Sequence, residues 1–466
     1  MEFKPSVSMK IFPCFIAQYK YLLSLFGIIL IAAACQKKSS EEIKPVSDIS
    51  ADIANKWMAL FLNIERFATG YRPPVAARAF AYTNLAAYEV IVPNSVNYRS
   101  VAPNFKGLNI PKIEAGKPYN YEAAVNEAYY LMMKSFFPHI SESYLIAIDN
   151  LYRQFDNRNI DADVLARSKQ FGKAVATAVF DFSKTDVAGH EAYLRNQPAD
   201  YAAPVGIGKW QPTFPDFGKA LLPYWGKVRT FAINETEKVA KLPVAYSTRS
   251  TAPFYAQGLE VYSTTTTLTS EQKWIAEFWS DDIFKLTFEP AARWIAIAKQ
   301  VVEKEKVPLE KAIYTYTKVS LSLSDVGVAC WNSKYIYNVE RPVSYIRTTI
   351  DPKWVSKLNN VVAVPYIAGV TPPFPAYPSG HSAFGGAAAE ALSDIYGYNY
   401  AMTDNCHQGR TEFLGMPRSF NSFYDMAYEN AYSRIPLGVH YRMDCEEGLR
   451  MGFATGKKVN QLNWKK

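Results

Sequence analysis

The chain has 466 residues, 49% of them apolar and 15% aromatic, enough to bury one large domain or two and to exclude disorder over most of its length. Its net charge of +8 comes from Lys and Arg scattered among acids rather than gathered in runs. No basic stripe therefore points to nucleic acid, while a local anion site stays compatible with the composition.

At the N-terminus Lys4, Lys10 and Lys20 precede the apolar stretch YLLSLFGIILIAAAC, whose small residues run into Cys35. That is the layout of a cleavable export signal. The apolar run from Tyr21 to Ala34 is 14 residues, short of the roughly 20 a spanning helix needs. The stretch resembles a bacterial lipoprotein signal, with Cys35 as the lipidated first mature residue, although Ala32 replaces the Leu usual three positions before the Cys. Ordinary secretion and an uncleaved anchor are the alternatives. The expectation is a signal over 1–34, a polar linker over 35–48, and a soluble body in the bacterial envelope, on its periplasmic or outer-membrane face, held to the membrane through the N-terminal lipid only. With Cys14 lost and Cys35 lipidated, Cys330, Cys406 and Cys445 remain. An odd number excludes a complete disulfide framework and leaves a Cys406–Cys445 bridge and buried free thiols both open.

Beyond the linker, apolar residues at three- and four-residue steps predict helices in IANKWMALFLNIERFA and PVAARAFAYTNLAAYEVI, with Pro73 and Pro74 suited to a first helical turn. The same periodicity predicts helices over about 120–136, 142–156, 161–183, 271–283, 287–304 and 308–333, then near 380–396, 422–434 and 441–460. Strand alternation is scarce. Residues 188–262, rich in Pro, Gly, Trp and Tyr, are too aromatic for a solvated linker and read as a long ordered loop shaping a cleft. No repeat suggests a solenoid. The simplest architecture is all-α, two adjoining helical bundles, with residues 49–262 forming the first bundle plus the long loop and 263–466 the second.

Three short stretches carry chemistry. In KYIYNVERP, Lys334 and Arg341 are seven residues apart, a spacing that returns to one face of a helix, and Pro342 ends the helix. Two cations there suit a multiply charged oxyanion, although solvated surface charges would show the same pattern. In FPAYPSGHSAFGGA, Ser379 suits a helix N-cap, Gly380 allows close backbone approach, and the free N–H groups of a helix start favour an anion beside His381. In SRIPLGVHYRMD, Pro436 and Gly438 break the helix, so Arg434 and His440 can converge, and Asp444 lies four residues beyond His440, placed to fix which ring nitrogen is free. The remaining histidines, His139, His190 and His407, have no comparable company in the sequence.

In order, Lys-x6-Arg-Pro, Pro-Ser-Gly-His and Ser-Arg-x5-His-x3-Asp resemble the signature of the superfamily uniting vanadium-dependent haloperoxidases, type 2 phosphatidic acid phosphatases and bacterial acid phosphatases. The chain is similar to the haloperoxidase branch over most of its length from about residue 50, through EFWSDD at 277–282, the KWQPT loop and RPPVAARAFAYTNLAAYE as well as the three motifs. The resemblance implies two four-helix bundles with the anion site in the second. It implies vanadate bound by His440, with Lys334, Arg341, Arg434, the Ser379 hydroxyl and the Gly380 N–H on its oxygens and His381 on the apical oxygen opposite His440. His381 is implied as acid-base group, Lys334 as a group polarising the oxidant, and Asp281 as an acidic residue near the site that pairs an arginine; a helix-end cap or a surface acid is the plainer reading of Asp281. Hydrogen peroxide, a halide and a small organic substrate follow as partners. Phosphate fits the same cage, and a phosphatase would use His440 as nucleophile and His381 as acid, through a phosphohistidine. The motif residues are common to both branches. Phe374, seven residues before His381, leans towards the chloride-using peroxidases, and it can equally be a packed aromatic wall. A surface lipoprotein that binds glycans or proteins without turnover is the third reading.

Overall fold

The computed structural model describes residues 44–155 and 160–466, so the proposed signal, Cys35 and most of the linker lie outside the described residues. The first helices are α1 (Asp52–Glu65), α2 (Pro73–Ile91), α3 (Tyr121–Phe136), α4 (Glu142–Gln154) and α5 (Ala162–Lys184). After the long loop come α6 (Pro253–Thr266), α7 (Ser270–Phe278), α8 (Pro290–Lys304), α9 (Leu309–Tyr337) and α10 (Pro342–Thr349). The last are α11 (Gly380–Tyr396), α12 (Phe423–Tyr432) and α13 (Arg442–Asn460). Between α11 and α12, β1 (Met402–Asp404) and β2 (Arg418–Phe420) form a small antiparallel pair, with Thr403 opposite Ser419. The expectation of an all-helical protein holds, with this pair as the only strands among the described residues.

Helix α9 organises the molecule. Nearly all its residues from Leu309 to Lys334 are buried, so no polar stripe marks an outer face. It packs against α2 on one side and against α11 and α13 on the other, and one apolar core runs through both halves of the chain. The tightest pairing is α11 against α13, where small residues let backbones touch. A methyl group on Gly452 would lie 2.4 Å from the Ala383 carbonyl, and one on Gly448 would lie 2.6 Å from that of Ser379. Glycine at these two positions therefore sets how closely the Ser379 turn approaches the helix that carries Asp444.

The aromatic loop is ordered, as its composition predicted. Buried Asp325 of α9 accepts the N–H groups of Phe231 and Ala232 at 2.7 Å and of Ile233 at 3.2 Å. Burial pushes its carboxyl up to about 7 against those three bonds. Farther back in the loop, the Leu221 carbonyl accepts from Tyr335 Oη at 2.7 Å and Trp331 Nε1 at 3.3 Å.

Two helices escaped the sequence reading. Helix α6 begins inside the stretch read as loop, at Pro253, and runs four residues past its expected end, finishing in a Thr-rich turn of poor helix propensity. Helix α10 begins at Pro342, where the preceding helix was expected to stop. Helix α9 instead ends at Tyr337, with Asn338 in the left-handed region at φ 52°. Lys334 and Arg341 are therefore not on one helix face: the first lies in the last turn of α9 and the second is the N-cap of α10. Helix α7 stops at Phe278 rather than near 283, which frees residues 279–289 to form a turn beside the site.

Candidate oxyanion site

Five helix ends meet here: the last turn of α9, the N-cap of α10, the start of α11, the end of α12 and the start of α13. Ser379 caps α11, its Oγ accepting the Ser382 N–H at 3.4 Å, which leaves the hydroxyl hydrogen free to donate. Gly380 and His381 open the helix, where N–H groups have no preceding-turn carbonyl. Ser379 N–H in turn donates to the Asp444 carbonyl at 2.9 Å, tying the two motifs together.

His440 lies just before α13 rather than on it, and Asp444 is in the helix's first turn. The contact expected from their spacing still forms: His440 Nδ1 is 3.0 Å from Asp444 Oδ2, which also accepts the Tyr441 N–H at 3.0 Å. A carboxylate on Nδ1 places the proton there and leaves Nε2 as the lone-pair nitrogen. Burial holds His440 well below the ordinary imidazole range, and the charges of Arg341, Lys334 and Arg434 add to it, so the ring is neutral. Arg341 Nη1 lies 3.1 Å from Nε2.

His381 Nε2 is 2.8 Å from the Ser280 carbonyl, an acceptor only, so Nε2 carries the proton and Nδ1 is the open acceptor. Burial and then Arg434 push this histidine down to about 4, against the pull of Asp282 and Asp281.

The cations are buried. Arg341 donates through Nε to Phe374 O and through Nη1 to Val439 O, both at 2.8 Å, but its Nη2 has no partner. Arg434 donates through Nη2 to Asp282 Oδ2 at 2.7 Å, but its Nε has none. Arg341 is pushed down to about 10, by burial first and the repulsion of Arg434 in part, with Asp444 opposing. Lys334 behaves differently from the expectation. Its Nζ donates to the carbonyls of Pro375, Ala376 and Pro378 at 2.9, 3.0 and 2.6 Å, so its hydrogens clamp the turn ahead of Ser379. Burial lowers it to about 7. Phe374 lies beneath both cations, its ring centre 4.9 Å from Lys334 Nζ and 4.8 Å from the Arg341 guanidinium, with Trp331 5.0 Å away.

Asp281 does pair an arginine, but it is Arg293 of α8, at 3.2 Å, in a buried cluster with Asp404 and His407. The carboxylate that reaches the cage is its neighbour Asp282, on Arg434. The sequence reading missed Asp282; the only signal was the adjacent second acid in EFWSDD, with Asp281 turned away by a φ of 39°. His407, which seemed without company, is buried with Asp281 at 3.3 Å. Its partners come from helices and turns far apart in sequence. Cys330, Cys406 and Cys445 are all free thiols, so the Cys406–Cys445 bridge is absent.

A cavity of about 330 Å³ opens onto this group, and Gly380, His381, Arg434, His440, Trp331 and Phe374 are among the residues lining it. Two buried guanidinium N–H groups without partners need an acceptor, and buried cations outnumber the carboxylates that reach them. A neutral histidine with one nitrogen tethered by an acid completes a donor set that fits a tetrahedral oxyanion bound to a histidine. The residues present therefore fit vanadate.

The fold and site define an all-helical protein with a buried, histidine-bearing oxyanion cage. The profile of the VCPO second helical-bundle domain matches residues 314–465. The crystal structure of the first bacterial vanadium-dependent iodoperoxidase superposes with a TM-score of 0.79 and 31% identity, covering 91% of this chain and 99% of that one. The chain belongs to the vanadium-dependent haloperoxidases. A bacterial vanadium-dependent chloroperoxidase in its holo form shares the fold, with a TM-score of 0.63 and 16% identity over 84% of this chain and 91% of its own. The vanadium chloroperoxidase of Curvularia inaequalis is 28% identical over 170 residues, a match spanning 28% of this chain and 27% of that protein's length.

Proposed function

We propose that this protein oxidises a halide with hydrogen peroxide, using vanadate held by His440, Arg341, Arg434, Ser379 and Gly380, to a hypohalous acid equivalent that halogenates small organic molecules. The supporting observation is the pair of buried, unpartnered N–H groups on Arg341 and Arg434 beside a neutral His440. Bound vanadate supplies a Lewis acid that activates peroxide without changing oxidation state. The chain's own part is electrostatic and positional. Arg341 and Arg434, both fully buried, neutralise oxygens where each charge counts for more than in solution. Asp444 holds His440 in the tautomer with Nε2 free. Asp282 and the Ser280 carbonyl fix Arg434 and His381, whose open Nδ1 takes and returns a proton. Lys334 acts through the backbone, holding the 375–378 turn so that Ser379 and the Gly380 N–H face the oxyanion.

A relative whose structure covers 91% of this chain at 31% identity is an iodoperoxidase, so iodide is the halide to test first. Purified protein loaded with orthovanadate is expected to iodinate thymol blue in the presence of peroxide. Bromide and chloride run in parallel, with p-nitrophenyl phosphate as the phosphatase control. Phosphate-ester turnover inhibited by vanadate, with no halogenation by any halide, would overturn the proposal.

The N-terminus supports a second part of this reading, that Cys35 carries lipid and holds the body at the bacterial envelope. No helix among the described residues is long and apolar enough to cross a membrane. Metabolic labelling with a palmitate analogue should tag the wild-type protein and not Cys35→Ser; equal labelling of both would refute it.

A further inference from the structure

The cavity has a second wall that the cage does not use. Glu289, the N-cap of α8, lines it together with Arg72, Asp282, His381 and Arg434. Glu289 is 4% exposed; its Oε1 pairs with Arg72 Nη1 at 2.9 Å, and its Oε2 has no partner. Directly behind it, Glu65 at the end of α1 is 1% exposed and accepts the Glu289 N–H on both carboxylate oxygens, at 3.3 and 3.4 Å. Arg72 also donates to the Asp282 carbonyl at 3.2 Å, which joins this group to the turn holding Arg434 and His381. The charges facing the pair are Arg72 from the α2 N-cap and Asp281 and Asp282 from the 279–289 turn. Arg293, on α8 itself, is committed to Asp281 and Asp404.

Two buried carboxylates served by one guanidinium, with further acids nearby, cannot both ionise without leaving uncompensated negative charge on groups largely removed from solvent. We infer that Glu65 and Glu289 jointly retain one proton near neutral pH and that Glu289 delivers it into the cavity during turnover. The inference rests on the function proposed above, whose reaction consumes a proton: halide, hydrogen peroxide and one proton give hypohalous acid and water. The halide is oxidised and the peroxide O–O bond reduced. The Glu289 O–H bond breaks, its carboxylate keeps the electron pair beside Arg72, the proton ends in the released water, and solvent reprotonates the pair. Burial raises both carboxyls, Glu289 to about 7 and Glu65 well above its ordinary range, which agrees with the charge count.

The test has two arms on the purified, vanadate-loaded protein. Infrared difference spectra across pH 5–9, chosen to bracket about 7, should show a protonated-carboxyl band that titrates near neutrality and is missing from Glu289→Gln. In halide oxidation, Glu289→Gln should lower kcat by about 100-fold or more with KM for peroxide little changed, and should flatten the fall in rate above neutrality. Glu65→Gln, which keeps Glu289 but removes the like charge, should move that alkaline fall down by about one pH unit. No such band, or a Glu289→Gln pH profile matching wild type, overturns the inference. If wild type halogenates nothing, the functional reading fails, while the infrared arm still decides whether the pair retains its proton.

Discussion

Two buried clusters in this protein are built from the same residue types, and they have opposite electrostatic outcomes. Around Arg293, Asp404 accepts from Nη2 at 2.7 Å and Nε at 3.2 Å, Asp281 and the Phe278 carbonyl accept from Nη1 at 3.2 Å, and His407 closes on it too. Both aspartates stay below the ordinary carboxylate range, because Arg293 and its neighbours outweigh the burial that would raise them. Around His440, Arg341 and Arg434 each keep one buried N–H without a partner, and burial drives Arg341 and the histidines down. A guanidinium with a partner at every buried nitrogen makes a strut; one that keeps a buried nitrogen unpartnered makes a binding site.

The largest effect should come from breaking the strut. Arg293→Met leaves Asp281 and Asp404 buried and unpaired, and should cost about 3–5 kcal/mol of unfolding free energy, read by denaturant titration. Arg341→Met should cost less stability and lower vanadate affinity at least about tenfold, since it removes charged hydrogen bonds from an open site. Equal destabilisation by the two would erase the distinction. Next, His440→Ala should lower vanadate affinity by about 100-fold or more, and Asp444→Asn by about 10- to 100-fold through the wrong tautomer. Equilibrium dialysis measures both.

A pH experiment sharpens the same contrast. His381 titrates near 4 in the folded protein against an ordinary value of 6.5, so the unfolded chain takes up the proton first as pH falls. Stability from a neutral His381 is therefore present above pH 6.5 and lost as pH falls from 6.5 to 4. Buried acids such as Glu289 and Asp325 titrate in the opposite sense, so the quantity to measure is the difference between wild type and His381→Gln. It should narrow over that window, and a constant difference would contradict a buried neutral histidine.

The cage was legible in the sequence because its parts are local motifs: a capped Ser-Gly-His turn, a His with an Asp four residues on, and an Arg held at a Pro. Each depends on a few adjacent residues, and each formed even where the helix boundaries were wrong. The strut was not legible. Arg293, Asp404, His407 and Asp281 come from one helix, a short strand and two turns, with no spacing rule to connect them. Choosing between Asp281 and Asp282 needed the backbone, since one residue's left-handed φ sends neighbouring carboxylates to different clusters. Helix α9 hid its end for a related reason: a helix buried on all sides gives no amphipathic edge to show where it stops.

The smallest expected effect concerns Phe374, which the sequence tied to halide choice. Its ring lies under Lys334 and Arg341, and its carbonyl accepts from Arg341 Nε, so the residue belongs to the machinery that places the cations. Phe374→Leu keeps the carbonyl and most of the apolar wall and removes only the ring's attraction for the two charges, worth about 0.5–2 kcal/mol. Vanadate affinity should fall by about 2- to 30-fold, and activity with iodide, bromide and chloride should fall in proportion if the ring acts through the cations. A change in the ratio between halides, with vanadate affinity unchanged, would show instead that the ring meets the halide directly.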